Sequence, residues 1–342
     1  MSDRSGRRSH RNPSLLHPPR LTARASSFRV AYLVLSHHRP ELVEGLVDRI
    51  LTLSPEGRVV VHHDAAAETE PWHGAPPARV HLIDRRRVLW GDWSIVDATL
   101  RMLRFAHEEL GADWFAFLSG EDLAVVDLAQ WEGAMHGAGI DGLVPARGVR
   151  RPRLGRPPTA PDVNFVRYAF RWRELPPVEG AVRAGVEAAR RLSRYAQPLF
   201  KIEYTRRRDR FLLALPRRRR LPPGWTLYSG PQWLAGGRRA AAALLGADPG
   251  VVDWYRHTWI PDQSFFHTVL HNTPDLVLRQ DHLTYVVPFA TKARRGDMVL
   301  RLEDLDAIRA SGAAFARKFD PEVDADILAA LDTVIAEERT HR

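Results

Sequence analysis

The sequence predicts an α/β fold built on a mostly parallel sheet with helices on both faces. Two observations carry that reading. Continuous apolar runs of strand length, at residues 30–35, 58–61 and 114–118, alternate with stretches whose apolar residues recur at helical spacing. Each of those runs also ends in a polar cluster: Ser36-His37-His38, His62-His63-Asp64 and Ser119-Gly120-Glu121-Asp122. In open α/β sheets ligands bind beyond the carboxyl ends of the strands, so three such ends predict a ligand crevice.

The elements follow in order. Residues 30–36 (VAYLVLS) are uninterruptedly apolar up to Ser36, as in a strand buried on both faces. Pro40 opens a helix with Leu42, Val43, Leu46, Val47 and Ile50 at helical spacing. Residues 58–61 give a second strand and 78–83 a shorter third. Ser94 starts a helix with Asp97 three residues on, as in a capping box, and Val96, Leu100, Leu103 and Leu110 on its buried face. Residues 114–118 form another buried strand, and a helix resumes from Leu128. Residues 147–222 break the alternation. They are rich in Arg and Pro, with one helical patch over 178–195, and are expected to be an insertion with weak internal structure. Order returns at 227–230, then a helix near 237–245, a helix opened by Pro261, and amphipathic helices over 302–310 and 321–338.

The 342 residues suit one large α/β domain. There is no cysteine, which excludes disulfides, thiolate metal sites and a cysteine nucleophile and fits a reducing compartment. Lys and Arg number 50 against 41 Asp and Glu, a formal charge of +9. That charge is unevenly placed: residues 1–29 carry +6 and residues 147–220 carry +15, which leaves −12 for the rest. Residues 1–28 read as a disordered basic tail, broken by Pro13, Pro18 and Pro19. No stretch approaches 18 apolar residues and no secretory leader is evident, so no membrane span is expected, while a peripheral contact of the basic segments with anionic lipid stays open.

Several residues invite a chemical reading. His37, His38, His62 and His63 lack the one-face spacing of a helical zinc motif, and Glu121-Asp122 is a lone acidic pair, so no metal site is expected. Trp90-Gly91-Asp92-Trp93-Ser94 fits a packed turn and a ring-stacking ligand contact equally well. Arg317 and Lys318 stand between Phe315 and Phe319, where a solvated pair of cations is the ordinary reading.

Seven segments together carry a family resemblance: AYLVLSHHRP at 31–40, VVVHHD at 59–64, RVLWGDWSIVDATL at 87–100, FLSGEDL at 117–123, YSGPQW at 228–233, IPDQSFFHTVLHNTP at 260–274 and GAAFARKFD at 312–320. In that order they resemble the Core-2/I-branching glycosyltransferases (glycosyltransferase family 14), which include β-1,6-N-acetylglucosaminyltransferases and peptide O-xylosyltransferases. The resemblance implies a GT-A-like Rossmann-type fold in a bacterial-type member. One glycosyltransferase domain would fill residues 29–342, with a nucleotide-sugar-binding half at 29–146, the basic insertion at 147–222 and an acceptor and catalytic half at 223–342. It implies inverting, metal-independent transfer of a GlcNAc- or xylose-type sugar from a UDP-sugar to an acceptor hydroxyl, without a cofactor. The 260–274 segment leans toward the xylosyltransferase branch and the 312–320 segment toward the acetylglucosaminyl branch.

Residue by residue, the resemblance places Ser36, His37, His38 and Asp64 at the nucleoside, with Trp90 and Gly91 beside it. Ser119, Gly120 and Asp122 would face the donor sugar, Arg317 would join the donor site and Lys318 would contact the diphosphate. Ser229, Gly230 and Trp233 would form the acceptor-side wall. Two departures stand out. The family's base glutamate is replaced by Gln263, whose amide cannot take a proton; either the adjacent Asp262, turned roughly 100° away if the segment is helical, or another acid supplies the carboxylate, or the chain is catalytically weak. A second diphosphate-binding Arg is replaced by Thr284, with Arg279, Lys292, Arg294 and Arg295 nearby. The acceptor would be a glycan, a lipid-linked sugar or a peptide, and the location cytoplasmic, with peripheral membrane contact through the basic segments. The Gln263 departure supports an alternative, a weak or inactive UDP-sugar- or glycan-binding relative. The charge alone supports a remoter one, an anionic-polymer binder without specific recognition of nucleic acid.

Overall fold

The computed structural model describes residues 28–340 other than 73, 152–159, 197–198, 207–208 and 218–220. The expected basic tail therefore lies outside the described residues apart from Phe28, as do Arg207, Arg208 and residues 218–220.

Four parallel strands build the sheet: β1 (Val30–Ser36), β2 (Arg58–His63), β3 (Val80–Leu82) and β4 (Trp114–Ser119), in the order β3-β2-β1-β4. That is the strand order of a Rossmann-type half. Because alternate residues of a strand point to opposite faces, β1 feeds two cores. Tyr32 and Val34 pack with Val43, Leu46, Val47 and Ile50 of α1 (Pro40–Leu53) on one face. Ala31 and Leu33 pack with Val96, Met102 and Leu103 of α2 (Trp93–Glu108) on the other. Beyond β4 the sheet continues through Ala235–Gly237, Gly142–Leu143 and Leu278–Arg279, giving seven strands. Ala235–Gly237 runs antiparallel to both its neighbours, which makes the sheet mostly, not wholly, parallel. A small second sheet joins β5 (Asp122–Ala124) antiparallel to Phe315–Arg317, which pairs in parallel with Thr284–Val286.

Three local expectations are corrected. The cap of α2 is Asp92, whose carboxylate accepts from Ser94 N at 2.9 Å, while Asp97 pairs with Arg101 one turn on; Leu110 lies beyond the helix. Pro261 opens only a 3-10 turn, Pro261–Gln263, and the α-helix starts at Phe265 after Ser264 leaves helical geometry. The last helix begins at Asp326, not 321, because Asp324 caps it by accepting from Ile327 N at 3.1 Å.

The larger correction concerns residues 147–222, which are well structured where described. A helix (Ala160–Ala169) and a second helix (Gly180–Ser193) accompany an antiparallel sheet of Phe170–Glu174, Arg210–Pro216 and Lys201–Thr205. Val166, Phe170, Trp172, Leu212 and Ala214 form a core of their own. The alternation Phe170-Arg171-Trp172-Arg173 is a half-buried strand whose outward residues are all charged. The Trp172 indole N–H is held by the Arg167 carbonyl at 2.9 Å, and its ring lies 5.0 Å from Trp259. We expect Trp172→Ala to destabilise the protein by about 3 kcal/mol. Hydrogen exchange should rise across 164–174 and 210–216 while β1, β2 and β4 stay protected; an even loss across both sheets would contradict a separate core.

Candidate active site

The carboxyl ends of β1, β2 and β4 meet at one edge. Ser36 and His63 face each other across β1 and β2, with Ser36 Oγ 2.7 Å from His63 Nδ1. His63 Nε2 lies 2.8 Å from the Thr69 carbonyl, which can only accept. Nε2 therefore carries the proton, Nδ1 is the acceptor, and the Ser36 hydroxyl donates to it. Burial lowers the pKa of His63 and keeps this arrangement neutral. Asp64 Oδ1 accepts from Ala66 N at 2.8 Å and Val88 N at 3.2 Å. It thus fixes the loop that leads to Trp90. His37 and His38 are exposed and stack at 4.2 Å, and His38 Nε2 lies 3.6 Å from Glu121.

Beside them lies a cluster of opposite charges. The register of the second sheet sets Arg317 opposite Asp122. Arg317 Nε is 3.2 Å from Asp122 Oδ1, its Nη2 donates to Ser119 Oγ at 3.2 Å, and its guanidinium lies 4.5 Å over the Trp233 ring. Lys318 Nζ is 2.7 Å from Glu121 Oε2. Gly120 N donates to Leu35 O at 2.9 Å, which ties this loop to β1. Burial drives the Asp122 pKa up to about 6 against the pull of Arg317. Burial also acts to raise Glu121, but Lys318, then Arg317 and His38, hold it below the ordinary carboxylate range.

The acceptor-side residues form a second group. Gly230 N donates to the Gln263 carbonyl at 3.0 Å and Ser264 Oγ to the Tyr228 carbonyl at 2.7 Å, so residues 228–230 and 261–264 are strapped together. A Cβ at Gly230 would stand 2.2 Å from the Pro145 carbonyl and 2.6 Å from the His267 ring, so only glycine fits. His267 is wholly buried with Nε2 2.8 Å from the Pro231 carbonyl, and burial takes its pKa down to about 4. Gly91, at φ 73°, accepts on its carbonyl from Ile260 N at 2.9 Å, and Trp90 meets Trp259 edge-on at 6.4 Å. Trp90 and Gly91, expected near the nucleoside, therefore pack against the segment that leads into Asp262.

Asp262 is buried with Oδ1 unpartnered among the described residues. Burial raises its pKa to about 6, opposed first by a hydrogen bond from its own backbone N–H and then by the charge of Arg167. Gln263, one position on in a turn of about 120° per residue, is only half-buried. The insertion helix reaches the same place. Tyr168 Oη lies 3.3 Å and Asn164 Nδ2 3.4 Å from Ser229 Oγ, and the Arg167 guanidinium lies 5.4 Å from the Trp259 ring. The structure thus brings Ser36, His38, Ser119, Gly120, Asp122, Trp233, Arg317 and Lys318 to one edge, and Gly91, Ser229, Gly230, Asp262 and Gln263 to the adjoining wall. The sequence reading missed Asn164, Arg167, Tyr168 and Trp259, which no motif marks. It quoted Glu121 but gave it no part in the donor site. Thr284 is buried and paired with Phe315, while Arg279 is committed to Asp281, and Arg295 to Asp304 and Glu303. Arg317 stands beside Lys318, both of them on Glu121. Among the described residues no group of three or more His, Asp or Glu is placed to hold a metal ion, and no helix is long and apolar enough to cross a membrane.

Residues 30–138, which contain β1 to β5 with Ser36, His38, Ser119, Gly120 and Asp122, match the Core-2/I-Branching enzyme family. The match covers about a third of the chain. A Core-2/I-branching match indicates glycosyltransferase activity. No curated protein matches the chain. Among solved structures it is similar to a Bacillus anthracis protein assigned as a glucose-1-phosphate thymidylyltransferase in complex with a sucrose, at 9% identity and a TM-score of 0.34 over 73% of this chain and 85% of that one.

The open oxygen of Asp262 has a thermodynamic consequence. Its folded pKa of about 6 lies above the ordinary 3.8, so the lost hydration weighs on the native state once the carboxyl ionises. That cost is full above about pH 6 and absent below about pH 4, where the group is neutral folded and unfolded. Asp262→Asn is therefore expected to stabilise the protein by about 1–3 kcal/mol near pH 8 and to have little effect near pH 3.5, measured by urea unfolding at both values. An equal effect at both pH values would show that ionisation is not the cause.

Proposed function

We propose that this glycosyltransferase moves a GlcNAc- or xylose-type sugar from a UDP-sugar to a hydroxyl of a glycan, lipid-linked or peptide acceptor, with inversion and without a metal. The observation that carries the reading is the Asp262 carboxyl. It is a buried acid with an open oxygen, poised near pH 6, on the wall shared with Ser229, Tyr168 and Arg167. A base of that pKa is ionised at neutral pH yet still basic enough to take a proton in the transition state. In the proposed step Asp262 takes the acceptor hydroxyl proton. The oxygen forms a bond to the anomeric carbon from the face opposite the nucleotide, and the bond from that carbon to the diphosphate oxygen breaks, its electron pair leaving with UDP.

Lys318 supplies the counter-charge for that leaving group. Glu121 engages one side of its ammonium at 2.7 Å, and the group has three N–H donors. Donors already fixed where charge develops stabilise it without reorganisation. Arg317, braced by Asp122 and Trp233, stands beside it. Ser36 is held by His63, which leaves its oxygen lone pairs available to a donor.

Release of UDP from a panel of UDP-sugars, with glycan, lipid-linked and peptide acceptors, tests the reading. We expect Asp262→Asn to lower kcat by about 10²-fold or more without changing UDP affinity. Lys318→Ala should lower kcat as well and weaken UDP binding. In the unsubstituted protein kcat should rise with pH through about 6, because the carboxyl must be ionised to act as a base. The half-buried Gln263, an amide in the family's base position, favours a second reading as a UDP-sugar-binding relative without transfer. UDP binding with no turnover from any donor would establish that reading and overturn the first, and a gain of activity in Gln263→Glu would place residue 263 at the base position.

A further inference from the structure

A cavity of about 1000 Å³ lies between the insertion sheet and the segment 248–257. It has a basic side and an apolar side. Arg171 and Arg173 project into it from one face of the strand Phe170–Glu174, opposite the buried Phe170 and Trp172. Arg217, just past the end of the neighbouring strand, joins them.

Arg217 is the most informative of the three. Its guanidinium stacks 4.5 Å over the Trp254 ring and donates through Nη2 to Thr258 Oγ1 at 2.8 Å. Its Nε is buried and unpartnered, and no carboxylate among the described residues lies within ion-pair distance of it. Burial draws its pKa down to about 10, a large cost for a side chain that normally stays charged under all conditions. Arg171 Nη2 lies 3.2 Å from His257 Nε2, so the imidazole is the acceptor there; burial, then Arg171 and Arg217, keep that ring's pKa low. Two carboxylates face the same space. Asp248 is tied to its own helix turn by Gly250 N at 2.7 Å, and Asp253 is exposed, its charge acting on both Arg217 and His257. Positive charge is thus gathered on one wall of this half-open cavity and, among the described residues, left without an ion-pair partner at Arg217. Leu215, directly opposite Arg171 in the strand register, and Leu221 line the same cavity and provide the apolar side.

We propose that this cavity binds a phosphate-bearing ligand, its oxygens taken by Arg171, Arg173 and Arg217 and its attached apolar group by Leu215, Leu221 and Trp254. Planar guanidinium forks match phosphate oxygens in pairs, and a tetrahedral group can meet several at once. The site is separate from the Glu121–Lys318 edge and does not depend on the base assigned to Asp262.

Isothermal titration calorimetry with inorganic pyrophosphate and with decyl phosphate tests the proposal. It is run on the chain carrying Lys318→Ala, so that the donor edge does not report, and repeated without that substitution in case the variant folds poorly. We expect one binding event, weakened about tenfold or more when Arg171→Gln and Arg173→Gln are added; both are exposed strand positions whose replacement leaves the insertion core intact. Tighter binding of decyl phosphate would identify a lipid-type phosphate as the source, and equal binding a free phosphate. Affinity unaffected by the two substitutions, or no heat with either probe at millimolar concentration, would overturn the site. So would association with phosphatidylglycerol vesicles that needs the same arginines while neither soluble probe binds, which would make this a membrane-facing surface instead.

Discussion

The architecture of the site depends on one carboxylate taken out of water, that of Asp122 at the end of β4. A buried carboxylate is tolerated only when something compensates its lost hydration. Here the compensation is Arg317, brought opposite by antiparallel pairing. That single pairing locates everything after residue 314. It places the strand Phe315–Arg317 beside β5 in the small second sheet, sets Lys318 against Glu121, and lays the Arg317 guanidinium on Trp233. Because Trp233 belongs to the segment that carries Ser229 and Gly230, the charge cluster at Glu121 and the wall at Ser229 share one brace.

Asp262 offers an instructive comparison. Burial lifts both aspartates to about 6, yet their surroundings assign them different work. Asp122 accepts from Ser119 N at 3.0 Å and faces Arg317 at 3.2 Å, so its charge is spent on holding structure. Asp262 keeps an unpartnered oxygen and forms no ion pair among the described residues. A perturbed acid whose perturbation is answered by a neighbour is a structural element; one left open is a candidate for chemistry.

Much of this was legible in the sequence, for physical reasons. The strands β1, β2 and β4 are covered on both faces, so they appear as unbroken apolar runs, and their polar ends mark the crevice directly. α1 shows itself through Val43, Leu46, Val47 and Ile50, all buried as the spacing requires. The insertion was opaque because its strands are short and alternate apolar with charged residues, so that arginine content hid the period of two. For the same reason Asn164, Arg167 and Tyr168 carried no signal: their meaning lies in contact with Ser229 and Trp259, more than 60 positions away in sequence for Ser229. The capping of α2 by Asp92 shows a smaller limit, since two acidic residues five apart both suited the start of a helix and only the backbone decides between them.

The insertion helix also has an implication for how such a protein diversifies. It contributes its side chains to the wall around Ser229 and Asp262, whereas the edge at Ser36, Ser119 and Lys318 is assembled from β1, β4 and the 315–318 segment. The two groups are therefore built from different lengths of chain, one with a hydrophobic core of its own. Drift in the insertion can reshape the wall at Ser229 and Asp262 while the edge at Ser36, Ser119 and Lys318 remains under separate selection.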